Sequence, residues 1–483
     1  MHYWPAHVAT KAIKAKKLSC REYCTHIISR IEKLNPILNA FNDIRYEQVL
    51  SDSDKADEIL HSGQLTGPLH GIPISIKDGI FTKGLLTTFG SKLHEGREGT
   101  FDAPVVERLK KAGAIMLGKT NMPAFGHMGV THSLLYGITR NPWNPTYSPG
   151  GSTGGGSSAV SAGLGPITIG SDGGGSIRIP ASFTGIFGIK PSLGRVPVYP
   201  TYSHTDQLSH IGPMTRSVMD AAIVMDTISG PDERDFNTLP DYAGIFAEDA
   251  QVDDSTTFKI GWSDNLGFAE VDNEVKAIAK TALDKLENAG CFVQPADIDT
   301  SWRHSTDHWF NLFTALYAAP LRTELERDAS MFEQSFIDFV EYGNDVSAKQ
   351  LIDAGNFRRR MVTTGHQIFK HHDILATPTV AIAPLKVGQQ GPTHINGKAT
   401  NPTDWSALTY VFNMTGYPAA TVPAGFTKQG LPVGLQLIGP RFADSNVIQC
   451  STLFEKSAPW AHRNPSINRW LNPPTQTHFT GGN

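Results

Sequence analysis

The chain has 483 residues, 40% of them hydrophobic and 18% charged, with a formal net charge of −4 and a pI of about 6.5. That balance supplies a sizeable core and no basic face, which argues against a dedicated nucleic-acid binder. No stretch approaches the roughly 18–20 apolar residues of a membrane span, the lysine-rich opening lacks the apolar run of a signal peptide, and Cys20, Cys24, Cys291 and Cys450 form no Cys-x-x-Cys pair; the expectation is a cytoplasmic protein with reduced thiols and neither zinc nor disulfides.

Ser19 and Glu22 have the spacing of a capping box, and Ile27, Ile28, Ile31 and Leu34 predict one apolar helix face that Asn35-Pro36 should end. Ile72-Pro73-Ile74-Ser75-Ile76-Lys77 alternates, which predicts a strand with its one charge at the end, followed by an Asp78-Gly79 turn. A helix over 102–113 and a strand over 114–118 follow. This alternation predicts an α/β fold, a central mixed sheet covered by helices on both faces.

Small residues predict a helix over 157–163, and a buried strand over 166–170 runs straight into Ser171-Asp172-Gly173-Gly174-Gly175-Ser176. Residues 257–293 read as strand, helix, strand, and 301–372 as largely helical. The sheet resumes at 373–379 and ends with 419–422 and 433–439. The expected organisation is a helical segment over 1–66 that packs on the core, and a main domain over 67–471. Within it, core motifs fill 67–219, a variable substrate-shaping region covers about 230–372, and the sheet returns over 373–450; a loose tail occupies 472–483.

Two Gly/Ser segments carry the chemical signal: Pro149-Gly150-Gly151-Ser152-Thr153-Gly154-Gly155-Gly156, and Asp172-Gly173-Gly174-Gly175-Ser176-Ile177-Arg178. A flexible linker would not be followed at once by a helix, a strand and a second glycine cluster. A phosphate loop lacks its Gly-Lys-Ser/Thr ending. A nucleophile at Ser176 explains more, because the glycines before it place free backbone N–H groups where a tetrahedral oxyanion develops, and losing one such donor costs about 3 kcal/mol of barrier. Serine needs a neighbouring base. None of the 18 histidines sits in a motif that supplies one, and Gly-x-Ser-x-Gly is absent around Ser176.

These residues resemble the amidase signature family: Gly71 to Asp78 in the order Gly-Ile-Pro-Ile-Ser-Ile-Lys-Asp, then Gly150-Gly151-Ser152-Thr153-Gly154-Gly155, then Asp172-x-Gly-Gly-Ser176-Ile177-Arg178-x-Pro180. Phe187-Gly188-Ile189-Lys190-Pro191-Ser192, Asn141-Pro142-Trp143, Asn413-Met414-Thr415-Gly416-Tyr417-Pro418 and Gly430-Leu431-Pro432-Val433-Gly434-Leu435-Gln436 continue the likeness. The resemblance implies an amidohydrolase that forms an acyl-enzyme, with Ser176 as nucleophile, Ser152 after a cis peptide bond as proton relay, and Lys77 as base. It also implies an oxyanion hole at Gly173, Gly174 and Gly175. Lys77 would then need its pKa lowered by about three units, roughly 4 kcal/mol, and burial at an apolar strand end can do that.

Among the supporting residues, Thr153 is expected to donate a hydrogen bond, and Asp172 and Arg178 to form a structural ion pair. Lys119 and Lys190 have no assignable role. Met122, Phe125, His127, Met128 and Tyr147 are either pocket walls or ordinary core. The resemblance implies no metal and no cofactor. The expected partners are water and a small amide, carbamate or ester, with no nucleic acid, no membrane and a homodimer left open. The alternative is the glutaminase subunit of a tRNA-dependent amidotransferase. That subunit has an aspartate seven residues before the late Asn-x-x-Gly, where this chain has Ser406; an arginine for glutamine's carboxylate is left open among Arg358, Arg359 and Arg360.

Overall fold

The predicted capping box forms: the Ser19 hydroxyl accepts the Glu22 N–H, and the Glu22 carboxylate accepts the Ser19 N–H. It opens helix Cys20–Leu38 of the computed structural model, which describes residues 1–201, 207–253, 255–467 and 470. The expected tail over 472–483 lies outside the described residues. The helix does not end at Asn35-Pro36. Proline removes one donor, but only the last turn remains there; buried Leu34 and Leu38 anchor it while Pro36 faces outward, and Asn39 ends it with φ 49°.

In chain order the strands are β1 (Phe41–Asp43), β2 (Pro73–Lys77), β3 (Ile115–Thr120), the hairpin β4 (His132–Ser133) and β5 (Gly137–Ile138), β6 (Ile167–Asp172), β7 (Phe187–Lys190), β8 (His210–Thr215), β9 (Lys259–Trp262), β10 (Phe292–Pro295), β11 (Ile374–Pro378), the hairpin β12 (His394–Ile395) and β13 (Lys398–Ala399), β14 (Ala419–Phe426) and β15 (Pro432–Ile438). Eleven of them form one sheet in the order β1-β3-β2-β6-β8-β7-β14-β15-β11-β9-β10. It is mixed: β3, β2 and β6 are parallel, as are β11, β9 and β10, and the other neighbours are antiparallel. Alternate residues feed separate cores. Ile374, Ala376, Leu435 and Leu437 join one, with the helices Cys20–Leu38, Val218–Ile228 and Asn273–Asn288. Leu375 and Ile438 join the other, with Ser305–Arg327, Gln334–Asn344 and Ala348–Ile368.

Two features bring the chemistry together. First, β2 and β6 are paired in parallel, Ile74 opposite Ile167 and Ile76 opposite Ile169, so Lys77 and the 171–176 turn emerge from adjacent strand ends. The alternation of β2 does not mark a wet face: Pro73, Ser75 and Lys77 are as buried as the isoleucines, because β2 lies inside the parallel trio. Second, the following helix is Gly154–Ser161, which starts within the glycine run and not at Ser157. A Cβ on Gly155 would lie 2.4 Å from Asn121 N, and one on Gly156 2.4 Å from Thr168 Oγ1. Only glycine lets this helix approach the strand ends so closely.

Candidate active site

Lys77 leaves the end of β2 and is fully buried. Its Nζ lies within hydrogen-bond distance of Ser152 Oγ at 2.7 Å, of Ser171 Oγ at 2.9 Å and of Ser171 O at 3.3 Å. Burial lowers its pKa from 10.5 to about 7; the charge of Asp172 opposes that shift only in part. The Gly151-Ser152 peptide bond is cis. Thr153 Oγ1 donates to Ser171 O at 3.3 Å, so Thr153 and Lys77 share that carbonyl. Nothing in the sequence marks Ser171 as a site residue beyond its place directly after the buried strand that runs into the Ser176 turn.

The chain beyond Lys77 is held by a second buried amine. Lys119 Nζ donates to the carbonyls of Asp78 and Ile80 and to Thr87 Oγ1, and the Asp78 carboxylate accepts from Thr88 and Gly90. Lys190 Nζ bonds the carbonyls of Pro191 and Tyr417. Both lysines therefore brace loops.

Around Ser176 each carbonyl of the turn is already bound by a donor. Asn413 Nδ2 holds Asp172 O at 2.8 Å, Trp309 Nε1 holds Gly173 O at 3.3 Å, and Thr409 Oγ1 holds Gly174 O at 2.6 Å. The N–H of Ile179 bonds Gly175 O at 2.7 Å, and that of Thr153 bonds Ser176 O at 3.1 Å. The N–H groups behave differently. Gly175 N donates to the Asp172 carboxylate at 2.7 Å, so it is not open as the sequence suggested. Those of Gly173, Gly174 and Ser176 have no acceptor among the described residues. The result is a concave run of amides with no competing carbonyl, suited to an anion.

Behind this turn, Asp172 and Arg178 form a fully buried ion pair at 2.9 Å. Arg178 also donates to Thr409 O, Gln436 Oε1 and Asn413 Oδ1. Burial pushes the Asp172 carboxyl up, but the Arg178 guanidinium and its hydrogen bonds, with help from Asn413, hold it well below the usual carboxylate range.

Two cavities meet at Ser176. A small one of about 80 Å³ is lined by Lys77, Ser152, Met122, Phe125, Phe313 and Tyr317. A wider one of about 680 Å³ is lined by His127, Met128, Trp309 and Ser406, among others. Four of the five expected wall residues thus border a cavity. Tyr147 does not: its hydroxyl bonds Gln429, and its backbone bridges to Lys386. His127 is held by Ala124 O and Ser335 Oγ, and burial lowers its pKa to about 4. Of the three arginines, Arg358 is used on Met414 O and Gln207 O, while Arg359 and Arg360 line a separate outer groove. Among the described residues no group of three His, Cys, Asp or Glu is placed to hold a metal, and no helix is long and apolar enough to cross a membrane.

Residues 22–448 match the family model described as Amidase. An acylamidase of Rhodococcus erythropolis is 35% identical over 470 residues, covering 96% of this chain and 98% of the relative. A glutamyl-tRNA(Gln) amidotransferase subunit of Moorella thermoacetica is 33% identical over 510 residues, with 97% and 99% covered. Among solved structures, a bacterial aryl acylamidase of the amidase signature family superposes with a TM-score of 0.89 at 30% identity, covering 95% of this chain and 97% of that one.

Proposed function

The chain belongs to the amidase signature family and hydrolyses amide C–N bonds, and from that premise we propose that Ser176, Ser152 and Lys77 perform the reaction on an acylamide. The observation that carries this reading is the 2.7 Å contact of the buried Lys77 amine with Ser152 Oγ. A neutral amine has two N–H donors and one lone pair. Ser171 Oγ and Ser171 O accept the two donors, which leaves the lone pair for the Ser152 hydroxyl.

In the reaction, the Ser176 oxygen bonds to the substrate carbonyl carbon. Its proton moves to Ser152 as the Ser152 proton moves to Lys77. The carbonyl oxygen gains the electron pair and is met by the N–H groups of the 173–176 turn. Collapse breaks the C–N bond, and the leaving nitrogen takes the proton back through Ser152. Water then repeats the sequence on the ester and releases a carboxylic acid. No step calls for a metal or a cofactor.

We further propose a cytoplasmic enzyme that works without a partner subunit, and that the acyl group occupies the larger cavity. Ser406, which stands where the transamidase subunit has an aspartate, lines that cavity, and its Oγ donates to Thr403 O. Amide, aryl acylamide and carbamate substrates all fit the scheme. The test is turnover of a panel of these by the wild type and Ser176→Ala, with covalent labelling by a fluorophosphonate. The wild type should turn over acylamides and take the label, and Ser176→Ala should do neither. Labelling retained in Ser176→Ala would remove Ser176 from the mechanism.

A further inference from the structure

Trp309 and Thr409 touch the glycine turn from two helices that lie far from it in sequence. Trp309 belongs to Ser305–Arg327 and Thr409 to Ala407–Thr415. The indole meets the turn with its Nε1 edge: a Cβ on Gly174 would fall 2.5 Å from Trp309 Cζ2. The ring is fixed on both sides, stacked on Phe313 at 4.6 Å and on Tyr410 at 4.9 Å.

We infer that Trp309 and Thr409 are positioning residues for the oxyanion-binding Gly174 N–H, Trp309 aiming it as a wall of the substrate chamber and Thr409 fixing the neighbouring peptide. The inference rests on the reading of Ser176 as nucleophile. The physical link is the planarity of the peptide unit, in which C=O and N–H point in opposite directions across a trans bond. Among the described residues the cis bonds are at 151-152 and 199-200, so the turn is trans throughout. Trp309 Nε1 draws Gly173 O to one side and thereby aims Gly174 N–H to the other. Thr409 Oγ1 draws Gly174 O, and the N–H of that peptide, on Gly175, is anchored by Asp172. With its neighbour pinned at both ends, the Gly173-Gly174 peptide has one remaining orientational hold, the indole. The same indole lines the cavity of about 680 Å³ that opens on Ser176. A substrate group seated there rests on the side chain that aims the oxyanion donor.

Trp309→Phe keeps the stacking and deletes the N–H; Thr409→Val keeps the shape and deletes the hydroxyl, and Thr409→Ser restores it. Each deletion should lower kcat by about 10-fold, less than the 10²–10³ for outright loss of an oxyanion donor, with KM within about twofold. Affinity for a trifluoromethyl ketone, which adds Ser176 to form a tetrahedral adduct, should weaken by the same factor. Thr409→Ser should recover to within about threefold of wild type. Unchanged kcat and ketone affinity in Trp309→Phe, or an effect on KM alone, would overturn the inference. Fluorophosphonate labelling of wild type but not Ser176→Ala separates that outcome from failure of the nucleophile assignment itself.

Discussion

The Asp172 carboxylate accepts the N–H of Gly175 at 2.7 Å while both its oxygens hold the Arg178 guanidinium, at 2.9 and 3.0 Å. One buried anion therefore fixes the turn that presents Ser176 and neutralises the cation that braces Asn413, Gln436 and Thr409. Asp172→Asn would leave Arg178 buried without its counter-charge, and the expected loss is about 3–5 kcal/mol of stability. Acid should act similarly. Burial raises the Asp172 carboxyl, but Arg178 overrides it and the folded-state pKa lies below its ordinary value. The contribution is thus complete above about pH 4 and is lost as the pH falls further. Denaturant titration at pH 7 should give the loss for Asp172→Asn, and that variant should lack this part of the acid dependence.

Lys77 should trade stability for function. Burial lowers its pKa from 10.5 to about 7, so between those values the unfolded chain binds more protons than the native one. Stability contributed at this site rises with pH across that window, and at pH 7 the lysine costs the native state roughly 4 kcal/mol. Lys77→Met is expected to be inactive yet more stable by about 2–4 kcal/mol at pH 7, with the difference shrinking toward pH 10. Lys77→Arg should also be inactive, because guanidinium stays charged. Wild-type kcat/KM should climb through pH 7. Retention of more than about a tenth of the activity in Lys77→Met would return the search for a base to the histidines.

Much of this was legible before the fold. Lys77, Ser152 and Ser176 sit in short runs whose local order survives folding, and strands and helices announced their αβ alternation by period. What the sequence concealed came from packing between distant segments. The walls Phe313 and Tyr317 and the donor Trp309 lie on one helix more than a hundred residues after Ser176, where nothing local marks them. The expectation of a fully open Gly173, Gly174 and Gly175 failed at Gly175, because a carboxylate three residues away folds back on its N–H. Tyr147 pointed to the pocket by its neighbourhood in sequence alone, and its ring ends up bonded to Gln429.

Two glycines should respond in opposite ways to the same change. In Gly155→Ala the new methyl would stand 2.4–2.7 Å from the backbone of Asn121 and Ala40, atoms that cannot move without shifting β3 or the helix itself. That variant is expected to lose at least about 3 kcal/mol, the upper range for overpacking, or to fail to fold. Gly355 lies within helix Ala348–Ile368, where a Cβ would meet nothing within 4 Å and the backbone is ordinary helix. Gly355→Ala should stabilise by about 0.5–1 kcal/mol. Paired thermal melts of the two purified variants decide both points.

The larger cavity carries a charge preference. Asp307, Asp338 and Asp404 stand on its walls, and among the described residues no lysine or arginine lines it. Two of the carboxylates are exposed and Asp404 is half-buried, its Oδ2 accepting from Asn401, so each should be worth no more than about 1 kcal/mol to a substrate charge. Acting together on one acyl group they should still produce a visible order. Among anilides whose acyl chains end in an ammonium, a hydroxyl or a carboxylate at equal length, kcat/KM should fall in that sequence, with a spread of about tenfold at low salt. Raising the ionic strength to about three times the physiological level should compress the spread, because the Debye length drops well below about 8 Å. Asp307→Asn combined with Asp404→Asn should flatten it at any salt. A carboxylate-terminated substrate that outperforms the ammonium one would place a cation in this chamber that its walls do not supply, and would reopen the transamidase reading, in which glutamine's carboxylate must be held.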